Sequence, residues 1–547
     1  MKRVEPNTKS AFLVAIVLLS TCSTPVEAQT SGPQGGDERF TAPVSVEMLK
    51  KVDQLVEQNE QLEKQNRELI EQIKTLRNAL AGKSDAAEAD ATASALREAV
   101  AAVSRPRPDF TPSASTGMAT DAVIRSVSVS TRSVRGDPKS SGKSEGQETP
   151  KWWGTYTPNL GFKLANTEHG DLNLSIYSYA RYLNQKGLEP TYTSFFGNTT
   201  TLQRRQDFQL NQLQMKFLGW IMDPRFRYFL YAWTSNASQG LGAQVVLAGN
   251  LNYSFDKRFA IGAGIYSLPG TRSVEGNFPF WLGVDSRLIA DEYMRPSYSS
   301  GVKAFGTIAR GLTYQTMIAN NLSTLGVSAA QLPNYFNTNA TSLVWMPTTG
   351  EFGTGFGDFE DHETVATRLA GHFSYSKENK QSQPSTDEFE NTQLRLSDGS
   401  IVFTPNLFGP GITVTDAIYK MSSVDGGIKY RGYALEGEFY LHWLSNFQGP
   451  GTSVLTSNFD RGYQLQFSAM PVQKTLQAYL GGSEVIGNYG RPWDFRAGVN
   501  YFPYENRVVR WNTEFLYLYR SPVGYTSVPF PFGGTGPIFH TTLELAF

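Results

Sequence analysis

The sequence predicts an all-β fold: a transmembrane antiparallel β-barrel of about 16 strands, with 18 as the alternative, preceded by an α-helical coiled coil. Three observations predict it. Of the 34 Phe, 26 Tyr and 9 Trp in 547 residues, all but Phe12, Phe40 and Phe110 lie after residue 150. Beyond that point, long segments alternate apolar and polar residues with period two. No apolar run approaches the ~20 residues that a membrane-spanning helix needs. The net charge of −1 lacks the basic excess of a nucleic-acid binder, so no nucleic-acid partner is expected.

Residues 1–28 read as a signal peptide. Lys2, Arg3 and Lys9 precede an apolar run from Ala11 to Leu19, and Val26-Glu27-Ala28 places small residues at −3 and −1 of a cleavage site. The single cysteine, Cys22, falls inside this segment. Cleavage after Ala28 therefore leaves a chain with no thiol, no disulfide and no thiolate metal site. Residues 29–43 read as a disordered N-terminus.

Residues 44–82 carry heptads. Met48, Leu55, Leu62, Leu69 and Leu76 form one seam; Val52, Asn59, Asn66, Ile73 and Leu80 form the adjacent one. A helix with such a seam would expose it if alone, so a periplasmic coiled coil and an oligomer are expected, with Asn59 and Asn66 fixing the register. Residues 83–150 are rich in Ala, Ser, Thr, Gly and charge, with Phe110 as their only aromatic. They cannot bury enough apolar area to fix their backbone and read as a low-complexity linker.

The barrel domain is assigned to 151–547. In 493–501, Trp493, Phe495, Ala497, Val499 and Tyr501 alternate with Asp494, Arg496, Gly498 and Asn500. Residues 433–443 put Tyr433, Leu435, Gly437, Phe439, Leu441 and Trp443 on one face and Ala434, Glu436, Glu438, Tyr440 and His442 on the other. A soluble sandwich turns the apolar face inward over strands of ~5–6 residues. A membrane barrel turns it outward and needs ~9–11 residues, with aromatics at both interfaces. The predicted strands are long: 171–182, 206–220, 225–235, 245–255 and 506–520. Turns at 222–225, 256–257 and 425–427 contrast with long polar stretches at 183–204, 321–364 and 378–410. That contrast is the turn-and-loop asymmetry of outer-membrane barrels. The final alternation, from Phe539 to Phe547, is expected to close the ring against a first strand near 160–164.

The segment 268–300 is too long for a turn and mixes Phe278, Phe280, Trp281, Tyr293 and Tyr298 with both signs of charge. It is expected to fold into the barrel and narrow it. Arg272, Arg287 and Arg295 would then meet permeating anions, with Glu275, Asp285, Asp291 and Glu292 holding or opposing them. Alternation adds Arg181, Lys216, Lys429, Arg431, Arg496 and Arg510 as lumen candidates.

The run Asp291-Glu292-Tyr293-Met294-Arg295-Pro296-Ser297-Tyr298, followed by Gly301-Val302-Lys303-Ala304-Phe305-Gly306, resembles the phosphate-selective porin O and P family. The opening Leu160-Gly161-Phe162-Lys163-Leu164 and the terminal Phe547 agree with it. The resemblance covers roughly 150–547 and implies a trimeric 16-stranded pore with an inward loop. A periplasmic coiled coil ahead of such a barrel is similar to dicarboxylate-type trimeric porins. The family's phosphate site depends on pore-loop lysines. Residues 268–300 contain none, so the resemblance carries the fold and not the substrate.

No catalytic or metal motif accompanies this pattern. His169, His362, His372, His442 and His540 lack HExxH or paired metal spacing, and neither a GxSxG elbow nor a P-loop occurs. Asp358, Glu360, Asp361 and Glu363, beside Gly353, Gly355 and Gly357, read as a solvated acidic loop rather than a Ca²⁺ site. The expectation is a non-enzymatic porin of the bacterial outer membrane, without cofactor. It would pass small hydrophilic, anionic solutes by diffusion. Its expected partners are outer-membrane lipid, lipopolysaccharide and two further copies in a homotrimer. The alternative is a structural anchor whose coiled coil spaces or tethers the envelope.

Overall fold

The strands follow from alternation that reverses the usual polarity. Along Tyr433–Gln448, Ala434, Glu436, Glu438, Tyr440 and His442 are buried, while Tyr433, Leu435 and Phe439 are exposed. The same holds along Val509–Tyr519: Arg510, Asn512 and Glu514 point in, and Trp511, Phe515 and Tyr517 point out. A sheet with a polar inner face and an apolar outer face buries its charges only if it closes on itself.

A computed structural model describes residues 156–157 and 160–547, except 236–243, 276–280, 325–326, 328–330, 333–335, 354, 384–393 and 525–527. The signal peptide, the disordered N-terminus, the coiled coil and the linker lie outside the described residues.

The described strands are β1 (Tyr156–Thr157), β2 (Gly161–Thr167), β3 (Gly170–Asn184), β4 (Thr191–Thr193), β5 (Thr199–Thr201), β6 (Gln206–Ile221) and β7 (Asp223–Ser235). Next come β8 (Gln244–Ser254), β9 (Ala260–Ser267), β10 (Tyr298–Ala309), β11 (Leu312–Ala319), β12 (Thr338–Trp345) and β13 (Ala366–Asn379). The last are β14 (Asp416–Tyr430), β15 (Tyr433–Gln448), β16 (Asn458–Val472), β17 (Leu476–Ile486), β18 (Trp493–Tyr501), β19 (Val509–Tyr519) and β20 (Gly536–Ala546).

β3 pairs with β6, each strand from β6 to β19 pairs with the next, and β20 returns to β3. The result is a closed antiparallel ring of 16 strands, the lower of the two expected counts. Closure leaves no edge whose backbone groups go unpaired.

The seam departs from expectation. β20 pairs with β3, with Thr542 opposite Arg181 and Ala546 opposite Tyr177, and not with residues 160–164. Residues 161–164 belong to β2, which folds back on the start of β3.

Two more corrections concern turns. Asp425-Gly426-Gly427 lies inside β14, paired with Ala370, Leu369 and Arg368, and the reversal comes later, at Arg431-Gly432. The stretch 321–364 contains β12 and is therefore two connections at opposite ends of the barrel.

Short reversals at Met222, 255–259, 310–311, 431–432 and 473–475 define one end, called here the turn end. The other end carries the long connections 185–205, 268–297, 380–415 and 520–535. Outward aromatics form a belt near each end: Trp493, Tyr517 and Tyr519 toward the loops, and Tyr501, Trp511, Tyr430 and Tyr433 toward the turns. Between them the outer wall is apolar, with Leu465 at 55% exposure and outward phenylalanines such as Phe439 and Phe515.

Candidate pore constriction

The connection between β9 and β10 runs inside the ring. It forms a 3₁₀ turn at Arg272–Glu275 and a short helix, α1 (Ile289–Met294), all six of whose residues are buried. The wall holds its backbone. Arg496 of β18 donates from Nη1 to the Ser286 carbonyl at 3.1 Å and from Nη2 to the Arg287 carbonyl at 2.6 Å. Asn500 donates to the Leu282 carbonyl at 2.9 Å, and Arg510 of β19 to the Trp281 carbonyl at 2.6 Å. The Ser483 hydroxyl accepts the Ala290 N–H at 3.0 Å.

The three loop arginines expected at the constriction are all buried against carboxylates. Arg272 donates from Nε to Glu436 Oε2 at 3.2 Å, and its backbone N–H points at Glu438. Arg287 binds Glu292 at 2.9 Å and lies 3.7 Å over the Trp281 ring. Arg295 reaches the other oxygen of Glu292 at 2.7 Å. Burial opposes ionisation of Glu292, but Arg295 and Arg287 outweigh it and hold its carboxyl below the usual range. For Asp291 burial wins, and its carboxyl is raised despite Arg287. Asp285, in the left-handed region at φ 50°, accepts from the Tyr179 hydroxyl and from Gln212 at 3.1 Å. Glu275 ends the 3₁₀ turn, and its side chain lies outside the described ones.

Of the lumen candidates, Arg181, Lys216, Lys429, Arg496 and Arg510 are buried on the inner face. Arg431 is not among them. The inward parity of Lys429 stops at the turn, where Arg431 is exposed, with φ 46°. Arg510 is clamped to Glu544, and Arg496 to Asp494 at 3.0 Å. Lys429 donates to the Gly355 carbonyl at 2.9 Å. Lys216 sits 5.8 Å from the Tyr177 ring, and among the described residues no carboxylate forms an ion pair with it. A bulge at Gln212 (φ 48°) resets the alternation of β6 and so keeps Lys216 inside.

A second infolded segment was not anticipated. The connection 346–365, at the turn end, is not a solvated acidic loop. Phe352, Gly355, Phe356, Gly357 and Asp358 are all buried, and only Glu360 and Glu363 of its acidic set are exposed. Its sequence signal is the row Gly350, Gly353, Gly355 and Gly357, all with positive φ, interleaved with two phenylalanines. The Gly355 carbonyl also accepts from Arg272 Nη2, at 2.7 Å. Phe356 packs in one apolar cluster with Trp281, Leu282 and Val284 of the first loop and Tyr177, Tyr179 and Tyr479 of the wall. The two connections thus meet inside the barrel.

His362 anchors this segment at the turn end. Its Nδ1 contacts Asp358, and its Nε2 lies 3.2 Å from Glu351 Oε1. Asp358 also accepts the Gly432 N–H at 2.8 Å. Burial disfavours the imidazolium, but the two carboxylates outweigh it and push the His362 pKa up to about 9. Burial likewise opposes ionisation of Asp358, yet His362 and Gly432 hold its carboxyl low; the His362 contact also lowers Glu351.

The stabilisation from His362 is complete below its unfolded value of about 6.5 and is lost as pH rises through about 9. The carboxylate share is lost at the acid end, as pH falls below the ordinary carboxylate range. Limited proteolysis of 346–365 is expected to accelerate across the alkaline limit in the native chain and to lose that step in His362→Ala.

No family model and no curated protein matches this chain. Solved structures do. OmpT of Vibrio cholerae is 9% identical, covering 70% of this chain and 99% of its own, with a TM-score of 0.43. An anion-selective porin from Comamonas acidovorans is 9% identical over 69% of this chain and 100% of its own, with a TM-score of 0.42. The outer membrane channel DcaP of Acinetobacter baumannii is 8% identical over 70% of this chain and 99% of its own, with a TM-score of 0.43. None of these likenesses singles out the phosphate-selective family. The chain is placed by its own strand ladder, a sixteen-stranded barrel turned inside out around two infolded connections, rather than by family membership.

Proposed function

We propose that the protein is a passive channel of the bacterial outer membrane for small hydrophilic solutes. The observation that carries this reading is the inverted polarity of the wall: charged and amide side chains line the inside, and an apolar band between Trp- and Tyr-bearing ends covers the outside. Only a lipid environment makes such an exterior stable, and only a hydrated interior suits such a lining. Transport on this reading is diffusion, with no covalent step and no cofactor.

The finer reading is a preference for anions. Among the described buried residues, twelve Arg and Lys face thirteen Asp and Glu, so the interior has no large excess of either sign. The preference would therefore come from cations that make no direct ion pair with a carboxylate, such as Lys216 beside the Tyr177 ring. The homotrimer, the periplasmic coiled coil and contacts with lipid and lipopolysaccharide complete the proposal. A closed structural anchor is the competing reading, favoured by the apolar cluster around Phe356 that joins the two connections inside the barrel.

Planar-bilayer recording separates the two. The channel reading expects discrete conductance steps and, in a salt gradient, a reversal potential on the anion side. Lys216→Gln is expected to move that potential toward the cation side with the steps retained. A native protein that inserts and gives no steps would leave the anchor standing.

A further inference from the structure

We propose that the connection 346–365 is a second constriction, entering from the turn end, and that Phe356 at its tip sets the largest solute the barrel passes. This rests on the channel reading above and assigns its size limit to a segment separate from the first loop.

The path of this segment is built, not incidental. Gly350, Gly353, Gly355 and Gly357 all take the left-handed conformation that favours glycine, within eight residues of chain. At Gly357, with φ 77°, a Cβ would stand 2.3 Å from Gln477 Nε2 and 3.2 Å from Leu282 Cδ2, so glycine suits both the conformation and the narrow passage between wall and first loop. The wall makes matching room. A Cβ at Gly427 would lie 2.7 Å from Phe352 Cζ, so the ring of Phe352 occupies space that a side chain on β14 would fill.

The wall and the first loop then fasten the backbone. Arg272 and Lys429, on separate elements, both donate to the Gly355 carbonyl, at 2.7 and 2.9 Å. Glu436 of β15 accepts the Gly357 N–H at 3.1 Å. The Arg272 guanidinium also lies 4.9 Å from the Phe356 ring centroid.

These fastenings carry Phe356 to the cluster with Trp281, Leu282 and Val284, where the two connections meet inside the barrel. A hydrated solute taking that route must part Phe356 from Trp281 and Leu282. The blocking groups are uncharged, so the barrier acts by size. Ion preference, which the reading above gives to Lys216, is a separate property. The two are expected to respond to different substitutions.

The test compares the native protein with Phe356→Ala and with a variant in which a short Gly-Ser turn replaces 351–360. Heat-modifiable gel mobility reports that each barrel is folded. Single-channel conductance is expected to rise about twofold in both variants. Swelling of proteoliposomes in a series of neutral oligosaccharides should admit longer members in both variants, with the reversal potential unchanged in Phe356→Ala. The replacement also removes Glu351, Asp358 and Glu360 and is expected to move that potential toward the anion side. A silent native protein beside conducting variants would overturn the size limit and the channel reading together, leaving 346–365 as the plug of a closed barrel. Native conductance and native size limit in both folded variants would overturn it while leaving the channel reading intact. Silence in all three would remove the channel reading, and this inference with it.

Discussion

Arg510→Ala is expected to destabilise the folded barrel by about 3–5 kcal/mol, because it strips the partner from a buried carboxylate. Arg510 donates from Nε and Nη2 to both oxygens of Glu544, at 2.5 and 2.9 Å, tying β19 to β20 next to the closing seam. Its Nη1 reaches the Trp281 carbonyl at 2.6 Å, so the same side chain holds the inward loop. Tyr177 of β3 donates to Glu544 Oε1 at 2.8 Å and draws the strand across the seam into the network. Removing the guanidinium leaves the fully buried Glu544 with one tyrosine donor, a larger loss than the net worth of the pair itself. Denaturant titration of vesicle-inserted protein would measure it, and current noise would report the released loop. Arg510→Lys keeps the charge but not the planar fork, and is expected to recover only part of the loss.

The second large effect tests the outer wall. Leu465→Arg is expected to cost about 2–4 kcal/mol in lipid, the range for a cation at the bilayer midplane of a barrel. Leu465 is central in Asn458–Val472, 55% exposed, and set between the two aromatic belts. Its neighbour Gln464 points inward and donates to Glu438 at 3.3 Å. Gln464→Lys brings its charge toward that carboxylate, so its cost is expected to be much smaller. Equal costs at the two positions would contradict the assignment of lipid and lumen faces.

These expectations trace back to how much was legible in the sequence. Alternation revealed most of the wall because an outward Trp, Tyr or Leu contrasts sharply with an inward Arg or Glu, as in 493–501. β12 escaped notice because its inward residues are small: Ala340, Ser342 and Val344 opposite Thr341 and Leu343 give little contrast. The double glycine after Asp425 looked like a reversal; its second glycine instead clears space for Phe352. The seam was misplaced because Leu160–Leu164 alternates well but is followed by a hairpin, and the strand after it makes the pairing with β20.

At the candidate site, length and aromatic content identified the inward loop, whereas the fate of its charges was not readable. Spacing says that Arg272 and Glu436 exist; only the fold brings their side chains to 3.1 Å. The turn-end segment left a faint signal in its regularly placed glycines, masked by acidic neighbours that suggested solvent. Arg431 shows the limit of parity, which holds along a strand and ends with it.

The meeting of two connections inside the ring also has a mechanical consequence. An empty tube of hydrogen-bonded ribbons flattens under uneven lateral pressure, because shear between neighbouring strands is soft. Here Arg496, Arg510 and Arg272 run from chain crossing the interior to three different staves. They act as struts, so squeezing by acyl chains on that side is borne by the infolded chain as well as around the circumference. That part of the wall should keep its curvature as the surrounding bilayer thickens or thins.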